Sequence, residues 1–327
     1  MPRYEKCIPF YCFALGFFLT NLVWIFYRLT QQLSPTTYQS ALVADDVAQA
    51  TKLQTYLLIL ILSSPNETQS RQVIRDTWFK LNTRPPASIT ARFVIGTYGL
   101  NEKLIDLLHK EQEKNEDMIF LDELAESYKN LTRKTLQTFV KACEMYDFKF
   151  AMKVDSDSFV RPVALLNALK VNANPRLYWG FLDGRAQPRA KGKWTEPGWM
   201  LCDRYLPYQL GGGYVIAHEL VKFIADNAKL LKLYKNEDVS VGAWLAGLNV
   251  HYVHDPRFDT EWISRGCNNE YLVTHKHDAN TMRYFYKSMK SVGTLCRTEI
   301  QERSSYIYDF SVPPSRCCVR TNSSKIP

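Results

Sequence analysis

Two aspartates separated by one serine, Asp155-Ser156-Asp157, are the side chains best suited to metal chemistry. They follow an apolar run at residues 148–154, which predicts a buried strand that ends at the motif. Carboxylates in such a turn can converge on a hard divalent cation, which would neutralise the phosphates of a nucleotide leaving group. Because surface turns also use aspartate freely, the D-x-D pattern alone leaves a structural role open.

A second carboxylate pair, Glu237-Asp238, precedes the small-residue run SVGAWLAG, which predicts a helix. Asp238 at the start of such a helix can serve as a general base, but a capping carboxylate would explain the same residue. The three glycines before Tyr214 allow close approach of a ligand or of another backbone, or simply serve a turn.

His275 follows the apolar residues of YLVTHK and is a candidate to complete a metal site with the aspartates. A zinc site is not indicated, because the sequence has no Cys-x-x-Cys pair and Cys317 and Cys318 are adjacent. The phosphate-binding motif G-x-x-x-x-G-K and the serine-hydrolase motif G-x-S-x-G are also absent from the sequence. Candidates for stacking on sugar rings are Trp179, Trp194, Trp199 and Tyr205, and core positions fit most of them equally well.

Strands and helices alternate along the first half of the chain. Apolar runs predict strands at residues 56–62, 91–96, 118–121 and 148–154, and helices are predicted at residues 71–79, 101–115 and 131–146. This alternation predicts an open, largely parallel α/β sheet in a single domain over residues 53–327. Ligands bind beyond the carboxyl ends of such strands, which is where the aspartate motif lies.

The N-terminus contains an uncharged apolar run at residues 8–27, IPFYCFALGFFLTNLVWIFY. The run is long enough to cross a hydrocarbon core, and no A-x-A cleavage site follows it, so we expect a single transmembrane signal anchor. Residues 1–7 would then form a short basic cytoplasmic tail and residues 28–52 a polar stem. This orientation predicts a type II membrane protein with a lumenal body.

Other features of the chain agree with a lumenal location. Sequons occur at Asn66, Asn130 and Asn322, and four cysteines crowd the C-terminal quarter. Six cysteines follow the apolar run, and six allow fifteen full pairings, so the disulfide pattern stays open. The net charge of +8 is spread over 327 residues without long basic blocks, which in a lumenal protein argues against nucleic acid as a partner.

Six motifs stand in an order that resembles the β-1,3-glycosyltransferases of glycosyltransferase family 31. They are Arg71-x-x-Ile74-Arg75-x-Thr77-Trp78, Phe93-Val94-Ile95-Gly96, Tyr128-x-Asn130-Leu131-Thr132-x-Lys134-Thr135, Lys153-Val154-Asp155-Ser156-Asp157-Ser158-Phe159, Tyr208-x-x-Gly211-x-Gly213-Tyr214 and Glu237-Asp238-Val239-x-x-Gly242. The resemblance extends from about residue 53 to the C-terminus. It implies a GT-A, Rossmann-like fold, an inverting transfer from UDP-galactose, Mn2+ as the metal and the Golgi membrane as the location.

The resemblance also implies roles for individual residues. Asp157 would be the main metal ligand, Asp155 would contact the metal shell or the ribose, and His275 would be an additional ligand. Asp238 would be the general base. The residues near the nucleotide would be Arg71, Arg75, Lys134, Asp155 and Ser156, and the donor and acceptor pocket would include Trp179, Gly212, Gly213, Tyr214 and Glu237. Because Asn130 belongs to a family motif, the resemblance argues against a glycan on its side chain.

Within the family, several stretches are most similar to members that act on the proteoglycan linkage region. They are HDPRFDTE at residues 254–261, YLVTHK at residues 271–276 and the double cysteine of the tail. This similarity implies that the acceptor is Galβ1,4-Xyl on a proteoglycan core protein, and that other linkage-region glycosyltransferases are partners. Because one fold hosts many specificities, the alternatives are a β-1,3-N-acetylglucosaminyltransferase, a catalytically silent lumenal scaffold and a lectin.

Overall fold

A mixed seven-stranded sheet forms the centre of the protein, in a computed structural model that describes residues 52–323 and 326–327. Leu53–Pro327 form one compact unit. The predicted cytoplasmic tail, the membrane anchor and, apart from Lys52, the stem lie outside the described residues. Within the described part of the chain, no helix is long and apolar enough to cross a membrane.

The secondary structure confirms the predicted alternation of strands and helices. The strands are β1 (Leu53–Leu62), β2 (Ile89–Gly96), β3 (Met118–Leu121), β4 (Tyr146–Asp155), β5 (Phe159–Val160), β6 (Leu177–Gly180), β7 (Leu182–Asp183), β8 (Tyr208–Gln209), β9 (Gly213–Ala217), β10 (His251–His254), β11 (Phe258–Asp259), β12 (Gly266–Cys267), β13 (Val273–Thr274) and β14 (Ile300–Gln301). The α-helices are α1 (Thr68–Asp76), α2 (Glu102–Asn115), α3 (Leu131–Met145), α4 (Pro162–Val171), α5 (His218–Asp226), α6 (Glu237–Leu245) and α7 (Ala279–Ser291). The four strands and three helices predicted in the first half correspond to β1 to β4 and α1 to α3.

The strand order of the central sheet is β10-β6-β9-β4-β1-β2-β3. Strands β4, β1, β2 and β3 are mutually parallel, as the sequence predicts. Strand β9 runs antiparallel to both of its neighbours, β4 and β6, so the sheet is mixed. Because of this reversal, Val154 near the end of β4 pairs with Gly213 at the start of β9. The aspartate motif and the glycine segment therefore meet at one edge of the sheet.

Both faces of the sheet are covered, which explains the continuous apolar run in β1. Successive side chains of a strand point to opposite faces, so Leu57 and Ile59 belong to one core and Leu58 and Leu60 to the other. Residues of α1, α4 and α7 pack on the first face. Residues of α3, α5 and α6 pack on the second. The α/β class that the sequence predicts is thus confirmed.

A smaller sheet joins the C-terminal part of the chain to the aspartate motif. Its strand order is β11-β13-β5, and β5 pairs antiparallel with β13. One disulfide joins Cys267 to Cys296, and a second joins the adjacent Cys317 and Cys318. The cysteines that crowd the C-terminal quarter are therefore disulfide-bonded, as expected.

Candidate active site

The aspartate motif lies where β4 leaves the central sheet. Asp155 is the last residue of β4 and pairs with Leu62 at the end of β1, and Ser156 and Asp157 form the turn that follows. The hydroxyl of Ser156 donates to Glu67 Oε2 at 3.1 Å, and the N–H of Ser64 donates to the same oxygen at 2.9 Å. Glu67 therefore ties the turn to the loop after β1.

The pairing of β5 with β13 carries His275 to the aspartates, because β5 begins two residues after Asp157 and β13 ends just before His275. His275 Nδ1 lies 3.0 Å from Asp157 Oδ1, and His275 Nε2 lies 4.0 Å from Asp155 Oδ2. One ligand atom from each of the three side chains lies within 4.8 Å of the others. The three residues predicted to bind metal thus converge.

The donor set fits a divalent cation such as Mn2+, which accepts both carboxylate oxygen and imidazole nitrogen. Burial alone would raise the pKa of Asp157, but the hydrogen bond with His275 and the charge of Lys276 hold that pKa well below its usual value. The Asp157 carboxylate is therefore ionised, as a metal ligand must be. Lys276 itself has a φ of 69°, a left-handed conformation that is uncommon outside glycine, and its ammonium lies 3.0 Å from Asp157 Oδ2.

Lys153 connects the aspartate motif to the second carboxylate pair. Its buried ammonium lies 2.7 Å from Asp155 Oδ1 and 3.0 Å from Glu237 Oε2, and it donates to the carbonyl of Gly211 at 2.6 Å. Burial disfavours this charge, but the two carboxylates outweigh burial and raise the pKa of Lys153. The sequence analysis missed this residue. The available signal was its position two residues before Asp155 in a strand, which places both side chains on one side.

Asp238 is the second residue of α6, and like Lys153 it contacts the backbone of Gly211. The N–H of Gly211 donates to Asp238 Oδ2 at 3.1 Å, and the N–H of Val239 donates to Oδ1 at 2.9 Å. Burial, followed by the charge of Glu237, raises the pKa of Asp238 to about 7 against the opposing charge of Lys153. A carboxyl group that titrates near neutral pH is suited to accept a proton during a reaction.

These groups open onto a cavity of about 400 Å³. Asp155, His275, Gly212, Glu237 and Asp238 line its inner part. The outer wall is aromatic and basic, and it includes Tyr128, Arg189, Lys193, Trp194, Trp262 and Arg303. A cavity with carboxylates at its base and aromatic residues at its mouth can hold a polar ligand with an apolar face.

The structure separates the predicted pocket residues into three groups. Gly212 and Glu237 line the cavity, whereas Gly213 and Tyr214 lie buried beneath it. The hydroxyl of Tyr214 donates to Glu237 Oε1 at 2.7 Å and so supports the pocket from below. The prediction for Trp179 is wrong: this side chain is fully buried in the core, and its indole N–H donates to Asp255 at 3.0 Å.

Arg71 and Arg75 lie outside the cavity wall and contact carboxylates of their own. Arg71 is fully buried and donates to Glu111 at 2.7 and 2.8 Å. Arg75 donates to Glu111 at 2.7 Å and to both oxygens of Asp117 at 2.8 Å. The two guanidinium groups hold α1 against α2, and their predicted place near the nucleotide stays a prediction.

Lys134 lies buried below the carboxyl ends of β1 and β2. Its ammonium donates to the carbonyl of Ser63 at 2.5 Å and pairs with Glu126, which also accepts the N–H of Gly96 at 2.7 Å. Burial lowers the pKa of Lys134, and the charge of Glu126 opposes that effect. Lys134 thus braces the edge of the sheet where a nucleotide would bind, and its contact with the donor stays a prediction.

The three sequons differ in exposure. Asn66 and Asn322 are exposed, whereas Asn130 is partly buried and its amide donates to the carbonyl of Ala125 at 2.8 Å. Asn66 and Asn322 are therefore better placed for glycosylation than Asn130, and the occupancy of each site stays a prediction.

Apart from Trp194, the sequence analysis missed the outer wall of the cavity. Tyr128 stands in one of the motifs quoted above, which was the signal for it. Trp262 directly follows the stretch HDPRFDTE at residues 254–261, which was the signal for it, whereas no motif surrounds Arg303. The place of Arg303 at the cavity depends on tertiary contacts alone.

Comparison with known proteins gives consistent matches. A family model described as galactosyltransferase matches residues 69–256, which include Asp155, Asp157 and Asp238. Mouse β-1,3-galactosyltransferase 6 is 43% identical over 82% of this chain and 84% of its own length. A probable β-1,3-galactosyltransferase 1 from Arabidopsis thaliana is 30% identical over 69% of this chain and 62% of its own. A UDP-GalNAc:β-1,3-N-acetylgalactosaminyltransferase 2 from Danio rerio is 30% identical over 58% of this chain and 38% of its own.

Proposed function

This chain belongs to the galactosyltransferase family, and we propose that it transfers galactose from UDP-galactose to the 3-hydroxyl of a terminal β-galactose, with inversion at the anomeric carbon. The proposal includes a GT-A fold, in which the metal motif follows a central strand. The observation that carries it is the cavity that Asp238 shares with Asp155 and His275, two residues that converge with Asp157. One cavity thus combines a base with a site for the metal that a nucleotide diphosphate requires.

The geometry suggests how the transfer proceeds. Asp238 removes the proton from the acceptor 3-hydroxyl as that oxygen attacks the anomeric carbon of galactose. The bond from the anomeric carbon to the diphosphate oxygen breaks on the opposite face, and UDP leaves. General-base assistance is typically worth about 10²–10⁴-fold in rate. The N–H of Gly211 and the ammonium of Lys153 keep the carboxylates oriented before the substrate arrives.

Asp155, Asp157 and His275 are the residues that would hold Mn2+. When bound, the cation supplies positive charge that stabilises the diphosphate as it departs. Lys276 and Lys153 each contact one of the two aspartates and so balance the charge of the cluster. The charge of Lys276 also helps to hold the pKa of Asp157 below its usual value.

The acceptor that we propose is the Galβ1,4-Xyl unit of the proteoglycan linkage region. Its support is the similarity to mouse β-1,3-galactosyltransferase 6 over most of both chains. We further propose a Golgi location as a type II membrane protein, anchored by residues 8–27, and association with other linkage-region glycosyltransferases. The apolar run and the sequons support the location.

Two alternatives are separable by experiment. A different donor sugar is one, because the Danio rerio relative carries the name of an N-acetylgalactosaminyltransferase, and an N-acetylglucosaminyltransferase is a related possibility. A silent scaffold or lectin is the other. The presence of Asp155, Asp157 and Asp238 argues against it, because a silent site has no need to keep all three carboxylates.

The test is a transfer assay with the purified full-length chain, UDP-galactose and a Galβ1,4-xyloside, with and without Mn2+, and with other UDP-sugars in parallel. Metal-dependent formation of a β-1,3-linked galactose supports the proposal. Donor hydrolysis without transfer retains the enzyme class and rejects the acceptor. Faster turnover of another UDP-sugar rejects the donor. Absence of both turnover and UDP binding favours the silent scaffold.

A further inference from the structure

Two tryptophans form a corner at the mouth of the cavity. Trp194 is 37% exposed and Trp262 is 59% exposed, and both line the cavity. Their ring centres are 6.4 Å apart and their planes meet at 68°. Such exposure is unusual for side chains of this size, which normally bury their apolar faces. We call this pair the tryptophan corner.

Trp262 is held in place from its own side of the cavity. The guanidinium of Arg303 lies 5.7 Å from the centre of the Trp262 ring, and it donates to the carbonyl of Ile263 at 3.1 Å. The preceding Glu261 is buried and pairs with Arg320. The backbone around Trp262 is therefore fixed, although its ring remains exposed, so the ring is oriented before a ligand arrives.

Trp194 is connected to the helix that carries the proposed base. The amide of Asn236 donates to the carbonyl of Trp194 at 3.4 Å, and the backbone N–H of Asn236 donates to Glu196 at 3.0 Å. Asn236 is the residue that precedes Glu237 and Asp238 at the start of α6. The position of Trp194 is thus coupled to that of Asp238.

The topology assigns the tryptophan corner to the acceptor side of the cavity. A nucleotide binds beyond the carboxyl ends of parallel strands, which here are β1 to β4. Asp238 lies beside Gly211, ahead of the antiparallel β9. Since Asn236 at the start of α6 donates to the carbonyl of Trp194, the corner lies on the side of the cavity that holds the base. Lys193 contacts the rings of both Trp194 and Tyr128, so the corner also borders the loop between β3 and α3.

We propose that Trp194 and Trp262 form a subsite for the sugar that is linked to the reacting galactose, namely the second ring of the acceptor. This inference rests on the proposed function. The C–H face of a sugar ring is apolar while its edges carry hydroxyls, so an indole ring binds the face and leaves the hydroxyls in water. Tryptophan is also one of the residues enriched at the energetic hot spots of protein–protein interfaces.

The position of Trp262 in the chain supports a role in specificity. The family model ends at residue 256, so Trp262 and Arg303 lie beyond the part that it matches. Asp155, Asp157 and Asp238 all lie within it. The catalytic residues therefore belong to the matched part of the family, and the tryptophan corner takes one of its two rings from sequence outside it.

The experiment compares two acceptors in the full-length chain. Galβ1,4-Xyl presents a second ring, whereas methyl β-galactoside does not. We expect Trp262→Ala and Trp194→Ala to raise KM for the disaccharide about tenfold, a loss of about 1.4 kcal/mol in binding. KM for methyl β-galactoside and for UDP-galactose should stay within about twofold of wild type, and Trp262→Phe should restore most of the loss, because it keeps an aromatic face.

The matched control is Tyr284→Ala, which removes an aromatic side chain of α7 that is 44% exposed outside the cavity wall. It should leave both acceptors unchanged. Equal losses on the two acceptors, or no loss on either, would overturn the subsite. So would a wild-type enzyme that binds both acceptors equally well. Failure of the wild type to use any galactoside would instead reject the proposed function.

Discussion

The imidazole of His275 packs directly on the backbone of Gly212. A β-carbon on Gly212 would lie 2.7 Å from Cγ and 2.8 Å from Cδ2 of that ring, which is closer than such atoms approach in proteins. Ser158 joins the two residues, because its hydroxyl donates to the Gly212 carbonyl at 2.8 Å and lies 3.0 Å from His275 Nδ1. The place of the histidine beside the aspartates thus depends on a missing side chain at position 212.

The first prediction concerns Gly212→Ala. The added methyl group should displace His275 from Asp155 and Asp157 and so weaken metal binding. We expect the Mn2+ concentration for half-maximal transfer to rise about 10–100-fold, as is typical when the support of a metal ligand is lost. A titration of transfer rate against Mn2+ measures this effect.

Gly247→Ala is the matched control, because no atom lies within 4 Å of the position that its β-carbon would take. It should leave the Mn2+ dependence unchanged. An unchanged Mn2+ dependence in Gly212→Ala would show that His275 is not a ligand, or that its position tolerates the methyl group.

The second prediction separates the base from the metal ligands. Asp238→Asn should retain UDP binding in the presence of Mn2+ but lose about 10²–10⁴-fold in transfer rate, because the amide cannot accept the proton. Asp157→Ala should lose both metal-dependent UDP binding and transfer. Calorimetric titration with UDP and initial-rate measurements provide the two readouts. Near-normal turnover in Asp238→Asn would show that Asp238 is not the general base.

The third prediction is a pH dependence. Asp238 must be ionised to accept a proton, and burial together with the charge of Glu237 raises its pKa to about 7. At saturating Mn2+, kcat/KM should therefore rise about tenfold per pH unit below pH 7 and level off above it. Glu237→Gln removes the negative charge that raises this pKa, so the midpoint should move to lower pH.

Glu237→Asp is the control for the pH profile, because it keeps the charge and should keep the midpoint near that of the wild type. A midpoint that stays fixed or moves upward in Glu237→Gln would mean that another group controls the rate. The profile must be recorded at several Mn2+ concentrations, since metal binding also depends on ionised ligands.

The pattern of apolar residues along the chain predicted the individual strands and helices of the first half. The apolar run before Asp155 corresponds to β4, and its end places the motif at the edge of the sheet. The antiparallel entry of β9 between β4 and β6 was not predictable, because strand order depends on contacts between distant segments. Trp179 shows the same limit: β6 is buried on both faces, so alternation of residue types could not show which way the side chain points.

The residues of the candidate site also differ in how far the sequence alone could identify them. Asp155, Asp157 and Asp238 belong to short motifs, so spacing and residue type sufficed to select them. Lys153 stands in the same motif as Asp155, but its contact with Glu237 joins segments far apart in the chain, as does the contact of Trp262 with Arg303. Such pairings form only in the folded protein, so no local spacing in the sequence predicts them.

The fourth prediction tests whether Arg71 and Arg75 stabilise the fold or contact the nucleotide. Glu111 accepts hydrogen bonds from both guanidinium groups, and its side chain is only 10% exposed. Glu111→Gln therefore removes the negative charge that these two nearly buried cations share. We expect the free energy of unfolding to fall by about 3–5 kcal/mol, as when one partner of a buried ion pair is removed. Asp226→Asn breaks the exposed pair with Lys222 and should cost less than about 1 kcal/mol. Urea denaturation of both variants measures the difference.

KM for UDP-galactose should not change in Glu111→Gln, because neither arginine contacts the cavity. A raised KM for UDP-galactose with an unchanged free energy of unfolding would instead place both arginines at the nucleotide site.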